Sequence, residues 1–244
     1  MAINTAMIPK TIHLCWFSDD PFPAEIKACL QSWKKYMPGY TIRRWTMADA
    51  KAIGFDFINE ALKHRKWAFA ADAVRFHAVY TEGGIYMDSD ILLYRGFEDL
   101  IPEHGFATFN EKIDHEDTPL ALQAAFFMGE KGNTYCKEMT EYYRTHHFEK
   151  DDGTLDQTVS PMIMAAVAEK YGARHSTEIL RLDGFTIYPT DYVAPRKRYD
   201  RKDVTFARHL VNHSWKNDQK IGRKIEKYLK HKYHALKYFL FRKY

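Results

Sequence analysis

Apolar residues recur every three or four positions through Ile26, Cys29, Leu30 and Trp33, so residues 24–36 read as an amphipathic helix that Pro38-Gly39 closes. Before it, Ile8 to Phe17 is an apolar, β-branched run that reads as a first strand and opens into the loop Ser18-Asp19-Asp20-Pro21. Tyr40 to Trp45 reads as a second strand and Asp49 to Ile53 as a short helix. Trp67 to Tyr80 carries the next strong helical pattern. Gly83-Gly84 ends it, because glycine takes up positive φ at little steric cost, and Ile85-Tyr86-Met87 then suits a buried strand. Further strands are expected over Phe106 to Glu111 and Leu122 to Met128, with helices over Asn133 to Arg144 and Pro161 to Tyr171. Thr186 to Pro189 and Val204 to Val211 read as short strands or loops. Strands and helices alternating in this way predict an α/β domain with a mostly parallel mixed sheet, whose ligands bind beyond the carboxyl ends of the strands.

A chain of 244 residues suits one sizeable domain, and 45% hydrophobic with 28% charged residues is a globular composition. No apolar run is long enough for a membrane span, and residues 1–10 do not read as a signal peptide. Three widely spaced cysteines, Cys15, Cys29 and Cys136, read as reduced, buried thiols of a cytoplasmic protein. The net charge of +4 is unevenly placed: residues 216–244 hold ten Lys or Arg against Asp218 and Glu226, a local +8, which leaves −4 for the rest. From residue 221 the apolar positions fall near helical spacing with basic residues between them. Residues 1–220 are therefore expected to form the α/β domain and 221–244 a basic amphipathic helix, which either packs on the domain or docks on an anionic membrane surface. Basic residues confined to one tail, with no nucleic-acid module elsewhere, argue against a nucleic-acid partner.

The candidate chemistry lies after the glycine pair. Asp88 and Asp90 flank Ser89 at the carboxyl end of the expected strand, where hard oxygen ligands suit Mg2+ or Mn2+ and a divalent ion can bridge two phosphate oxygens. Asp72 and Arg75 are three apart, so they share one helix face and can act together beside that strand.

Four segments together resemble glycosyltransferase family 32. This family of D-x-D sugar transferases includes bacterial capsule and lipopolysaccharide enzymes and the yeast initiating mannosyltransferase, and is related to the large clostridial glucosylating toxins. Ile8-Pro9-Lys10-Thr11-Ile12-His13 through Trp16 is similar to the family's opening strand. Ala70-Ala71-Asp72-Ala73-Val74-Arg75 and Gly83 to Asp90 resemble its A-x-x-S-D-x-x-R and G-G-I-Y-x-D-x-D blocks, Ser160-Pro161 its Gly-Pro, and Thr205 to His209 with Ser214-Trp215 its closing signature. Ala71 and Ser160 depart from the family's Ser and Gly, and His209-Leu210 stands where two histidines are common, with another at His213.

The resemblance implies a GT-A-type, Rossmann-like fold and a retaining hexosyl transfer, dependent on Mn2+ or Mg2+, from a nucleotide-diphosphate sugar to a saccharide or lipid-linked saccharide. It implies that Asp72, Arg75, Asp88 and Asp90 carry the chemistry. Asp90 would be the principal metal ligand, Asp88 a shared one, and either His209 or His213 the third. Trp16 would stack on the nucleobase, Asp72 and Arg75 grip the donor, Trp215 reach the diphosphate through its indole N–H, and Ser89 and Ser214 complete the donor contacts. Asn110, Glu111, Asp156, Gln157 and Ser160-Pro161 are looser candidates for the acceptor side. The role implied is surface-polysaccharide synthesis in the cytoplasm, at the inner face of the membrane. A toxin-like protein glycosyltransferase, a metal-dependent nucleotide-sugar phosphohydrolase and a non-catalytic sugar-binding module are the rival readings.

Overall fold

The computed structural model describes residues 7–111, 120–195 and 200–210. The basic helix expected over 221–244 lies outside the described residues. β1 (Thr11–Cys15) leads into α1 (Ala24–Tyr36), β2 (Thr41–Trp45), α2 (Met47–Ile53), α3 (Asp56–Lys63) and α4 (Trp67–Glu82). β3 (Gly84–Met87) and β4 (Ile91–Leu93) follow, then β5 (Phe106–Asn110), β6 (Leu122–Gly129), α5 (Thr134–Thr145) and α6 (Ser160–Ala168). β7 (Leu180–Leu182), β8 (Phe185–Tyr188), β9 (Val193–Ala194) and β10 (Ala207–His209) complete the described elements.

Seven strands form one mixed sheet in the order β2-β1-β3-β6-β5-β8-β7. Pairing is parallel across β2-β1-β3 and between β5 and β8, and antiparallel where β6 sits between β3 and β5 and where β7 meets β8. β3 and β6 are buried along their whole length, as their near-continuous apolar sequences require of central strands. One core cluster packs α3, α4, α5 and α6 on the sheet, and a second lies around α1 and a small sheet of β4, β10 and β9.

Local signals set several boundaries. Thr46 and Asp49 form a reciprocal capping box, so α2 starts two residues before the expected Asp49, and Gly54 ends it in the left-handed conformation. The sequence reading assigned nothing to α3, whose Phe57, Ile58, Ala61 and Leu62 bury one face. The helix expected to reach Tyr171 is α-helical to Ala168 and finishes as a 3-10 turn. The three cysteines are free thiols; Cys29 and Cys136 are buried as expected, while Cys15, at the end of β1 on the cleft lining, is only half-buried.

The turn from α4 into β3 sets the direction of the chain toward the candidate site. Gly83 and Gly84 have φ of +70° and +112°, and a side chain on Gly84 would lie 2.6 Å from the Thr11 carbonyl oxygen. Trp45 donates its indole N–H to Nδ1 of buried His13 over 3.2 Å, so the ring proton sits on Nε2, which donates to the Gly83 carbonyl over 2.7 Å. β1, β2 and the glycine turn are thereby locked together at the amino end of β3, the end away from the candidate site. Among the described residues, no helix is long and apolar enough to cross a membrane.

Candidate active site

β3 ends at Met87, and Asp88-Ser89-Asp90-Ile91 forms a tight turn in which the Ile91 N–H donates to the Asp88 carbonyl over 3.0 Å. The Asp88 N–H donates to Ala125 of β6 over 2.8 Å, and Trp33 of α1 donates its indole N–H to the Ile91 carbonyl over 2.7 Å, so both sides of the turn are held. β4 then pairs antiparallel with β10, in a register that sets His209 opposite Ile91. The Leu210 N–H closes this pairing on the Asp90 carbonyl over 3.0 Å. His209 Nε2 lies 3.3 Å from Asp90 Oδ1, and Asp88, Asp90 and His209 each offer a ligand atom within 4.8 Å of the others. Burial alone would lower the His209 pKa, but the Asp90 hydrogen bond and the charges of Asp90, Asp88 and Glu111 outweigh it and raise it. Two carboxylates and an imidazole, part-buried at one point, form a donor set that suits a divalent cation such as Mn2+ or Mg2+.

Asp72 and Arg75 come to the same place from α4. Arg75 Nη2 is 2.9 Å from Asp72 Oδ1 and 3.4 Å from Asp88 Oδ1, while Nη1 donates to the Ala124 carbonyl over 2.8 Å and Nε to the Ala71 carbonyl over 3.3 Å. One guanidinium thus joins the helix, β6 and the D-x-D turn. Burial opposes its charge, but Asp88, Tyr86 and Asp72 raise the Arg75 pKa, and it stays a cation. Burial pushes the Asp72 carboxyl up to about 7 in spite of Arg75, with the Asp88 charge adding to the rise.

Tyr86 belongs to this cluster, although the sequence marks it only as part of a buried apolar strand. Its hydroxyl donates to Asp88 Oδ1 over 2.7 Å, and the Arg75 guanidinium lies 4.9 Å from its ring centre. The general rule that a buried tyrosine hydroxyl needs a partner is the signal that could have found it.

These groups line one cleft of about 1000 Å3, which also takes in Trp16, Ser18, Trp67, Glu111, Gln123, Ser160, Pro161 and Ser89. Arg44 donates to the carbonyls of Trp16 and Ser18 and so holds the loop after β1. The Trp16 ring packs against Phe22 at 4.9 Å, and its indole N–H is buried with no hydrogen-bond partner. Of the looser acceptor-side candidates, Glu111, Ser160 and Pro161 reach the cleft. Asn110 is buried and donates instead to the Ser176 carbonyl over 2.8 Å. Asp156 accepts from the Thr158 N–H and hydroxyl in a local turn, and Gln157 is not part of the cleft lining. His213, Ser214 and Trp215 lie outside the described residues.

Residues 23–107, which contain Asp72, Arg75, Asp88 and Asp90, match the family model described as glycosyltransferase sugar-binding region containing DXD motif. Among solved structures, the PaToxG glycosyltransferase aligns with a TM-score of 0.50 at 18% identity, over 67% of this chain and 70% of that one, which is a likeness of fold. A glycosyltransferase involved in the glycosylation of the major capsid of PBCV-1 aligns with a TM-score of 0.44 at 12% identity, over 82% of this chain and 93% of that one. No curated protein matches the chain. A DXD-containing sugar-binding region, carried on a mixed-sheet GT-A-like fold, makes the chain a glycosyltransferase similar to those of family 32.

Proposed function

We propose that the chain is a metal-dependent, retaining hexosyltransferase, using a nucleotide-diphosphate sugar as donor and a saccharide or lipid-linked saccharide as acceptor. The observation that carries this reading is the meeting of Asp88, Asp90 and His209 with the Asp72 and Arg75 pair in a single cleft. A divalent ion held by Asp88, Asp90 and His209 would supply positive charge to the leaving diphosphate. The base-binding end is the loop after β1, where the Trp16 ring, on the lining of the cleft, stacks on the nucleobase. Asp72 accepts hydrogen bonds from the sugar hydroxyls, and Arg75, fixed at Ala124, orients that carboxylate while offsetting the charge of Asp88. With the donor held in this way, the acceptor hydroxyl approaches the face from which the diphosphate departs, and a phosphate oxygen takes its proton. His213, Ser214 and Trp215 keep their proposed places as alternative metal ligand and diphosphate contacts. The basic segment 221–244 is proposed to hold the enzyme at an anionic inner membrane surface, the setting of surface-polysaccharide synthesis, on the strength of its charge and apolar spacing in the sequence.

A thermal-shift screen of UDP-, GDP- and dTDP-hexoses with and without Mn2+ tests the donor reading. A bound donor at 100 times its dissociation constant stabilises by about 2.7 kcal/mol. A rise in midpoint that requires both the sugar nucleotide and Mn2+ is expected, and no rise with any pair contradicts the reading.

A further inference from the structure

Trp67 is an exposed tryptophan on the wall of the cleft, and its position gives it a use. Together with Met7 it makes up the exposed large hydrophobics among the described residues, at 45% exposure. It opens α4, and one stripe of that helix (Trp67, Ala68, Ala71, Asp72 and Arg75) lines the cleft. Positions 67, 71 and 75 are four apart, and 68, 71, 72 and 75 fill the same face. Asp72 and Arg75 are only 8% and 5% exposed, so the stripe runs from an open rim at Trp67 to a floor at Arg75. Trp67 and Asp72 are separated by about 7.5 Å along the helix axis, room for a second pyranose ring beyond one gripped by Asp72. The neighbouring Ala68 and Ala71 have no side chain large enough to cover the indole face, and no aromatic or cationic side chain among the described residues stacks on it. A flat, open aromatic face leading to polar groups suits the C–H face of a sugar, whose hydroxyls then point to solvent and to the polar wall.

We infer that Trp67 is the stacking platform of an acceptor subsite, taking a hexopyranosyl ring at the outer end of the cleft. This rests on the glycosyl-transfer reading above and names the side chain that would bind the acceptor in it. Ser89, Asp88, Asp90 and His209 line the same cleft as Trp67, so an acceptor seated on the indole shares one cavity with the donor held there.

The test uses the full chain with Mn2+ as wild type, Trp67→Phe and Trp67→Ala. Saturation-transfer NMR is recorded with methyl glucoside, galactoside, mannoside and N-acetylglucosaminide in the presence of nucleoside diphosphate, and hydrolysis of UDP-, GDP- and dTDP-hexoses by water is followed in parallel. Trp67 is exposed, so both variants should keep the wild-type melting midpoint. Expected is transfer to the ring protons of at least one glycoside in the wild type, about tenfold weaker binding in Trp67→Ala, partial retention in Trp67→Phe and unchanged donor hydrolysis in all three. Equal glycoside binding in Trp67→Ala, no glycoside binding by the wild type, or a parallel loss of donor hydrolysis in Trp67→Ala would each overturn the acceptor platform. Absence of donor hydrolysis in the wild type would strike instead at the glycosyltransferase reading beneath it.

Discussion

Nε2 of His209 lies 3.3 Å from Oδ1 of Asp90, although Asp90 sits in the turn before β4 and His209 on β10, far along the chain, and the two meet only because β10 pairs with β4. A neutral imidazole is needed for metal binding, and the His209 pKa is raised, with burial opposed and outweighed by Asp90. Mn2+ affinity should therefore fall as pH drops through that raised value and recover above it. In His209→Gln the affinity should be lower by roughly 10- to 100-fold and its pH dependence near neutrality weaker. Calorimetric titration of Mn2+ from pH 5.5 to 8 checks this, and a wild-type pH profile in the variant contradicts it.

Tyr86→Phe removes the hydroxyl that donates to Asp88 Oδ1 and little else. Bonds to charged groups contribute about 1.5–3 kcal/mol, and partners of metal ligands typically change affinity 10- to 100-fold. A loss of stability in that range together with weaker Mn2+ binding is expected from urea unfolding and metal titration. Unchanged metal affinity would reduce the hydroxyl to a packing role.

Arg75 joins α4, β6 and the D-x-D turn, and its removal leaves Asp72 buried without its cation. Arg75→Ala should lose about 3–5 kcal/mol. Arg75→Lys should recover part of that stability, but its single ammonium cannot reproduce the contacts to Asp72, Asp88, Ala71 and Ala124. Donor turnover in Arg75→Lys is expected to stay far below wild type. Equal loss of stability in both variants, measured by urea unfolding, contradicts this division between charge and geometry.

Much of this arrangement was legible in the sequence because it depends on local rules. The 3.6-residue period marked α1 and α4, the glycine pair marked the turn into β3, and the spacing of Asp72 and Arg75 put them on one face. What was missed depends on distant pairing. The antiparallel entry of β6 between β3 and β5 is a matter of register and leaves no local trace. That His209 meets Asp90 follows from its pairing with Ile91 on β4, which no local pattern shows, while His213 lies outside the described residues. α3 escaped notice because it is short and its first residue follows Phe55, which offers no capping side chain.

His13 offers a pH-dependent stability test. Burial lowers its pKa below 6.5, with the Gly83 hydrogen bond opposing, so the folded state holds a neutral ring donating to Gly83. Between the folded and unfolded pKa values the unfolded chain binds more protons, so this contribution is present above about pH 6.5 and lost as pH falls below it. The stability difference between wild type and His13→Gln should accordingly be about 1–3 kcal/mol at pH 7.5 and smaller at pH 5.5. Urea midpoints at the two values check it, and a difference that grows on acidification contradicts it.

The most direct test is turnover of a mixed set of UDP-, GDP- and dTDP-hexoses by the purified chain with Mn2+, with EDTA, and by Asp90→Asn with Mn2+, read as nucleoside diphosphate released. Wild type with Mn2+ should release diphosphate from at least one donor, while EDTA or Asp90→Asn should lower the rate by about 10²-fold or more. Release at the wild-type rate in EDTA and in Asp90→Asn would contradict a metal-dependent glycosyltransferase built on Asp88, Asp90 and His209.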